Sequence, residues 1–162
     1  MGETRWLDDE EQRTWRNFLW TSRLLFDALD RQMQRDAGMP HTYYVILAML
    51  SESPDRTLNM GELADLVRSS PSRLSHAVSR LEAAGWVRRS KRPPDRRTTL
   101  AQLTDEGFEV LAAAAPGHVA AVRELMFDRL TPSQLKVLNE VFATLHEGLD
   151  PERARSINDG KR

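Results

Sequence analysis

The 162 residues predict a mainly α-helical chain with one small β-hairpin, and three features lead there. Apolar residues recur at three- and four-residue spacing through most of the length, the period of a helix with a buried side. Two short helical stretches between residues 59 and 85 are separated only by the Arg68-Ser69 turn. Directly after them, residues 86–90 and 98–103 are partly β-branched or aromatic and flank a loop rich in arginine and proline, the pattern of two strands and their connection.

The first helix is expected over about residues 10–36, with Trp15, Phe18, Leu19, Ser22, Leu25, Phe26, Leu29 and Met33 on one side and Gly38 as its stop. Trp20 and Leu24 fall on the opposite side. A helix that packs only on its own chain needs one apolar face, so the second calls for a partner. Pro40 opens the next helix, which carries Tyr43, Tyr44, Ile46, Leu47 and Leu50 and ends in a turn over residues 51–55. Thr57 and Leu58 can then add a short strand beside the hairpin.

Asn59 and Glu62 make an N-cap and N3 pair, after which Leu63, Leu66 and Val67 form one buried stripe. Ser70 can cap the following helix, Pro71 suits its first position, and Gly85 sits where a left-handed stop belongs. Placing Leu74, Val78 and Leu81 inward, with Ala77 and Ala84 at the margins, leaves Ser72, Arg73, His76, Ser79 and Arg80 on or near the outer side. That side has no acid except Glu82. A surface helix ordinarily mixes both charge signs. One that presents Arg, Ser and His can enter a DNA major groove, where arginine reaches guanine and hydroxyls reach bases or phosphates.

From Trp86 to Arg97 the chain holds Arg88, Arg89, Lys91, Arg92, Arg96 and Arg97 against the single acid Asp95, a net charge of +5. Pro93 and Pro94 stiffen the tip and remove backbone donors, which suits a loop projecting into solvent or toward phosphates. A solvated charge run explains such a loop taken alone, but a helix-turn-helix placed directly before it makes a winged helix. Arg73, Ser75, His76, Ser79 and Arg80 are then candidate recognition-helix contacts, with Ser70 and Ser72 available to phosphates near the helix start. Arg92, Arg96 and Arg97 are the wing's candidates for the flanking minor groove or backbone. Asp95 would be repelled by phosphate, so it is expected to pair with an arginine and fix the shape of the loop.

After the hairpin, Thr104 can cap a long helix over residues 105–129 through Phe108, Leu111, Ala115, Val119, Val122 and Met126, which Pro116-Gly117 should bend or interrupt. The last helix has the clearest start: Thr131 as cap, Pro132 at the first position, Gln134 completing a capping box, and Leu130 with Leu135 as a hydrophobic staple. Leu135, Leu138, Phe142, Leu145 and Leu149 then make a helix-packing seam.

Asp95, Arg97, Leu103 and Thr104 fall on the D-x-R-x5-L-T pattern of the MarR family of transcriptional regulators, with Gly107 completing that family's LTxxG. Residues 75–89, SHAVSRLEAAGWVRR, also resemble the family's recognition helix running into its wing, commonly T-R-x-x-x-R-L-E-x-x-G-L-V-x-R. His76 stands where many members carry a DNA-contacting arginine, and Trp86 stands where leucine is usual. The resemblance implies a winged helix-turn-helix with a helical dimerisation layer, in which the first and last two helices of two subunits interlock. It implies a homodimer on a palindromic DNA operator, usually as a repressor, and often a small aromatic or phenolic effector bound where the dimer helices meet the winged helix. Trp15, His41 and Tyr44 would lie near that junction and are the candidate effector contacts.

Charge and composition bound these expectations. The whole chain carries a formal charge of −1, yet residues 60–104 hold nine Lys or Arg against four acids, so a basic module sits in an otherwise acidic chain and can be steered to phosphate locally. The absence of cysteine removes disulfides, thiolate metal sites and the cysteine-based peroxide sensing of some MarR relatives. Residues 1–16 are polar and charged, unlike a signal peptide, and no apolar stretch is expected to approach membrane-spanning length, so a cytoplasmic setting without membrane contact follows. No phosphate loop, dinucleotide glycine pattern, nucleophile elbow or HExxH is present, and His41, His76, His118 and His146 lack metal-site spacing, so neither an enzyme nor a cofactor or metal is expected. The expected division is a dimerisation helix over 1–38, the winged helix over 39–104, dimerisation helices over 105–149 and a polar tail over 150–162. A winged helix that binds proteins is the alternative, disfavoured because protein contacts select exposed apolar residues over arginines.

Overall fold

The computed structural model describes residues 3–91, 94 and 97–150. Arg92, Asp95 and Arg96, three residues proposed for the wing, lie outside them. Among the described residues, six helices and three strands follow in the order α1 (Asp9–Ala37), α2 (His41–Ser51), β1 (Thr57–Asn59), α3 (Met60–Leu66), α4 (Pro71–Ala83), β2 (Val87–Lys91), β3 (Thr99–Leu103), α5 (Asp105–Leu125) and α6 (Pro132–Leu149), with short 3-10 turns at Pro54–Arg56 and Phe127–Arg129.

Local side chains set most of the boundaries. Asp8 caps α1 by accepting the Glu10 and Glu11 backbone N–H groups, and Glu11 returns a bond to the Asp8 N–H, so the helix starts a residue before the expected position. Gly38, at φ 64°, ends it. No side chain of its own caps α2; the His41 N–H instead donates to Asp30 Oδ1 of α1 at 2.8 Å, a tertiary bond that fixes the angle between the two helices. The capping boxes at Asn59–Glu62 and Thr131–Gln134 form as the sequence predicts.

The strands form one antiparallel sheet in the order β1-β3-β2, with Thr57 opposite Gln102 on one side of β3 and Val87 opposite Leu103 on the other. One core joins the sheet to five helices, α1 to α5. Met33, Met39, Ile46, Leu47, Leu50, Leu63, Leu74, Val78, Leu81, Val87, Ala101, Leu103 and Leu111 are all buried in it. Arg56 braces the far edge, its guanidinium 4.0 Å from the centre of the Phe108 ring and 3.1 Å from Asp105 at the start of α5.

Of the two outcomes expected at Pro116, a bend or an interruption, the interruption does not occur: α5 runs unbroken to Leu125, because the proline removes only one donor and contacts with α1 and α2 hold the helix together. One expectation is corrected. The expectation that no apolar stretch approaches membrane-spanning length fails for residues 105–129, which contain an 18-residue window of mean hydropathy 1.2. The alanines at 112–115, 120 and 121 raise that mean, and α5 packs along α1.

α6 behaves differently from the other long helices, since none of its residues is buried. Leu135, Val137, Val141, Phe142, Leu145 and Leu149 are exposed along it, and Trp15, Phe18, Leu19, Trp20, Leu24 and Phe26 are exposed along α1. Both apolar sides of α1 are therefore largely open in the single chain.

Candidate nucleic-acid interface

Ser70 caps α4 by accepting the Arg73 N–H, and Pro71 occupies the first turn, where its missing donor is harmless. Leu74, Ala77, Val78 and Leu81 point into the core; Ala77 is more deeply placed than its expected marginal position. Burying these four leaves Ser70, Ser72, Arg73, Ser75, His76, Ser79 and Arg80 exposed, and all but the capping Ser70 lie on the outer surface of α4. The helix ends at Gly85, φ 80°, where the Trp86 N–H reaches the Leu81 carbonyl and the Gly85 N–H reaches that of Glu82. This αL stop turns the chain straight into β2.

The stop places Glu82 against β2. Its Oε1 accepts the Arg89 backbone N–H at 3.1 Å, and its Oε2 accepts the Arg89 guanidinium at 2.8 and 2.6 Å. Hydrogen bonds from the Arg89 side chain hold the Glu82 carboxyl below the ordinary glutamate range. Sequence reasoning counted Glu82 as the lone acid of the outer face and Arg89 as part of the basic run. The available signal was their seven-residue spacing across a glycine turn, which brings a helix end alongside the strand that follows.

On the wing, Arg88 donates to Gln102 at 2.7 Å and Lys91 to Thr99 at 2.9 Å, both across the β2–β3 pair. Between wing and helix lies a cleft of about 420 Å³, lined by Pro71 and Ser75 of α4, Arg89, Arg97, Thr98 and Thr99 of the wing, and the chain at Asn59–Gly61. On the other side of the helix-turn-helix, Arg68 holds a left-handed backbone in the α3–α4 turn and pairs with Asp150 at the end of α6.

Comparison with known proteins agrees with this geometry. A model of the MarR family matches residues 37–98. The crystal structure of Sco3205, a MarR family transcriptional regulator from Streptomyces coelicolor solved in complex with DNA, is similar at a TM-score of 0.87 and 57% identity, covering 93% of this chain and 94% of that one. AbsC, a MarR family regulator from the same organism, is similar at a TM-score of 0.84 and 41% identity over 90% of this chain and 98% of its own. The transcriptional regulator PecS of Dickeya dadantii (strain 3937) is 28% identical over 104 residues, which span 64% of this chain and 63% of PecS.

The chain belongs to the MarR family of helix-turn-helix transcriptional regulators. A regulator of this family is not an enzyme, in keeping with the sequence reading.

In this MarR family chain the expected effector residues separate. His41 and Tyr44 come together, ring centres 6.3 Å apart, where α1, α2 and α5 meet. His118 of α5 joins them, 5.2 Å from His41 and 4.3 Å from Tyr44, and Phe26 of α1 closes the group at 6.4 Å from His41. Trp15 stacks on Phe18 at 6.0 Å instead and is 51% exposed. His118 was not legible as a partner of His41, because nothing local links two residues on separate helices. Burial lowers the pKa of both imidazoles below the ordinary histidine value; Asp30 partly opposes this at His41, and His41 adds to it at His118. Among the described residues, no group of three or more side chains could hold a metal ion.

Proposed function

We propose that two copies of this chain bind an imperfect palindromic operator in the cytoplasm and act as a repressor that a small aromatic or phenolic molecule releases. The observation that carries the DNA reading is the outer face of α4, exposed from Ser72 to Arg80 without an acid, set beside a basic hairpin. One such helix contacts few bases, whereas two related by a two-fold axis reach successive major grooves about 10 bp apart. The open apolar sides of α1 and α6 support the pairing, since covering a large apolar side chain contributes roughly 1.5–3 kcal/mol and water offers nothing comparable. In this reading residues 1–38 and 105–149 form the dimer layer and residues 39–104 read DNA. Arg73, Ser75, His76, Ser79 and Arg80 contact bases, Ser70 and Ser72 phosphates, and Arg92, Arg96 and Arg97 the flank, with Asp95 shaping the wing. An effector would contact His41 and Tyr44, with Trp15 the more distant candidate, and act by favouring one separation of the two recognition helices over another.

The test is selection of bound duplexes from a random pool, followed by affinity against salt and by release with small aromatic acids. Expected are an inverted repeat and a steep fall of affinity with salt, the mark of phosphate neutralisation. Arg73→Ala and Arg97→Ala should weaken binding while sedimentation still reports a dimer; unchanged affinity in both refutes the site assignment. A flat salt response would instead favour a protein partner.

A further inference from the structure

The winged helix is joined to α1, α5 and α6 by two covalent routes, α1 into α2 and β3 into α5, and neither passes through the α3–α4 turn. A unit held only at those two routes keeps freedom to pivot. The turn itself is a Schellman stop: the Ser69 N–H reaches the Ala64 carbonyl at 3.0 Å and the Arg68 N–H that of Asp65 at 3.4 Å. Glycine usually fills the left-handed position of such a stop, because a Cβ there is crowded. Here Arg68 fills it, at φ 51°. Backbone strain accepted at a residue points to a use for its side chain.

That side chain reaches across 82 residues of sequence to Asp150, the C-cap of α6. An acid is misplaced at a helix C-terminus, where the last carbonyls already carry partial negative charge. Asp150 lies there with its N–H on the His146 carbonyl at 2.8 Å, and the Arg68 guanidinium brings the compensating positive charge. No described residue of α6 is buried, and no other described element packs extensively on α6 within the chain, so the pair ties an otherwise loosely held helix end to the DNA-reading unit. Ser69 follows Arg68 directly and Ser70 caps α4, which leaves little slack between the tie and the recognition helix.

We propose that Arg68 is a positioning residue for DNA recognition: its bond to Asp150 clamps the helix-turn-helix to the end of α6, fixes the separation of the two recognition helices in the dimer, and so determines which half-site spacing is accepted. The assignment rests on the reading of two copies on an inverted repeat, and it adds residues outside the DNA-contacting face. Arg68 acts through α4 rather than on a phosphate. Its side chain and that of Asp150 are 62% and 26% exposed, so the pair is screened by solvent and its role is orientation more than stability.

The experiment uses the full chain and its selected operator, beside duplexes whose half-sites stand one base pair closer or farther apart. One base pair moves a half-site by about 3.4 Å along the axis and about 35° around it. The unaltered chain should lose about tenfold or more on either duplex, because the DNA must twist or bend to fit a fixed pair of helices. Asp150→Asn and Arg68→Gln should each lose about threefold on the selected operator, since a loosened unit must be ordered on binding, and each should cut the penalty for altered spacing to about threefold. The double substitution should do no more than either single one. Reversing the pair, Arg68→Asp with Asp150→Arg, should restore the spacing penalty, aspartate being among the residues that tolerate a left-handed backbone. Spacing discrimination unchanged in Asp150→Asn overturns the clamp. So does a loss for Arg68→Gln that is equal at all spacings and comes with a shallower salt dependence, the mark of a direct phosphate contact. If the unaltered chain selects no inverted repeat, the two-copy reading itself fails, a distinguishable result.

Discussion

Glu82 accepts three hydrogen bonds from Arg89, so the last turn of the recognition helix and the first strand of the wing move as one piece. The carboxylate serves a backbone donor and a guanidinium at once, which is the stronger kind of ion pair. Its side chains are still 36% and 32% exposed, so solvent screening keeps its contribution to stability to about 1 kcal/mol or less.

Glu82→Ala should therefore cost little in folding and more in binding. Urea unfolding should shift by no more than about 1 kcal/mol. Affinity for the operator should fall several-fold, because a wing free to pivot must be ordered on binding. A variant that binds as tightly as the parent would show that the wing's position is set elsewhere. The depressed folded pKa of Glu82 adds a direction in pH: the pair stabilises above the unfolded carboxyl value of about 4.3 and is lost as pH falls through the lower folded value.

A second prediction concerns Gly107. The Trp86 backbone carbonyl, held by the Thr104 N–H at 3.0 Å, lies where a Cβ on residue 107 would have to be, and the Leu103 side chain crowds the same place. Glycine is thus required by close approach of two backbones rather than by a special dihedral. Gly107→Ala should destabilise by at least about 1–3 kcal/mol, the range for overpacking, despite alanine's better helix propensity. Gly117→Ala, in the same helix, meets only side-chain ends, Gln32 Nε2 at 3.4 Å and Asp36 Oδ2 at 3.9 Å, and should be neutral or stabilising by up to about 1 kcal/mol. Thermal or urea unfolding of the two variants decides this, and equal effects would sink the argument.

The contrast between these sites also explains what could be seen in the sequence. The caps at Asn59, Ser70, Thr104 and Thr131 and the stripe of Leu74, Val78 and Leu81 were legible because each depends on residues three or four apart. The outer face of α4 followed from them, since burying one side determines the other. The Glu82–Arg89 strut, the Asp30 bond to His41 and the meeting of His41 with His118 were not, because they depend on how elements pack. Pro116 left a bend and an interruption both open for a related reason: propensity counts the lost donor, while packing against α1 and α2 decides that the helix continues through it.

The histidine pair leads to the last prediction. His41 and His118 lie half-buried with Tyr44 and Phe26 at the joint of α1, α2 and α5, and the His118 Nδ1 has no hydrogen-bond partner among the described residues. Desolvation disfavours the charged form of each, and a charge on one disfavours a charge on the other; Asp30 offers partial compensation only to His41. With both folded pKa values below the unfolded value of about 6.5, the unfolded chain takes up protons first as pH drops. Stability should hold above about pH 6.5 and decline below it until the folded pKa values are passed. His118→Phe keeps a ring against Tyr44 while removing one titrating group, so its unfolding free energy should depend less steeply on pH between about 6.5 and 5 than that of the parent. Urea denaturation across that interval measures both slopes. Identical slopes would mean that His118 titrates normally and that the joint is insensitive to its charge.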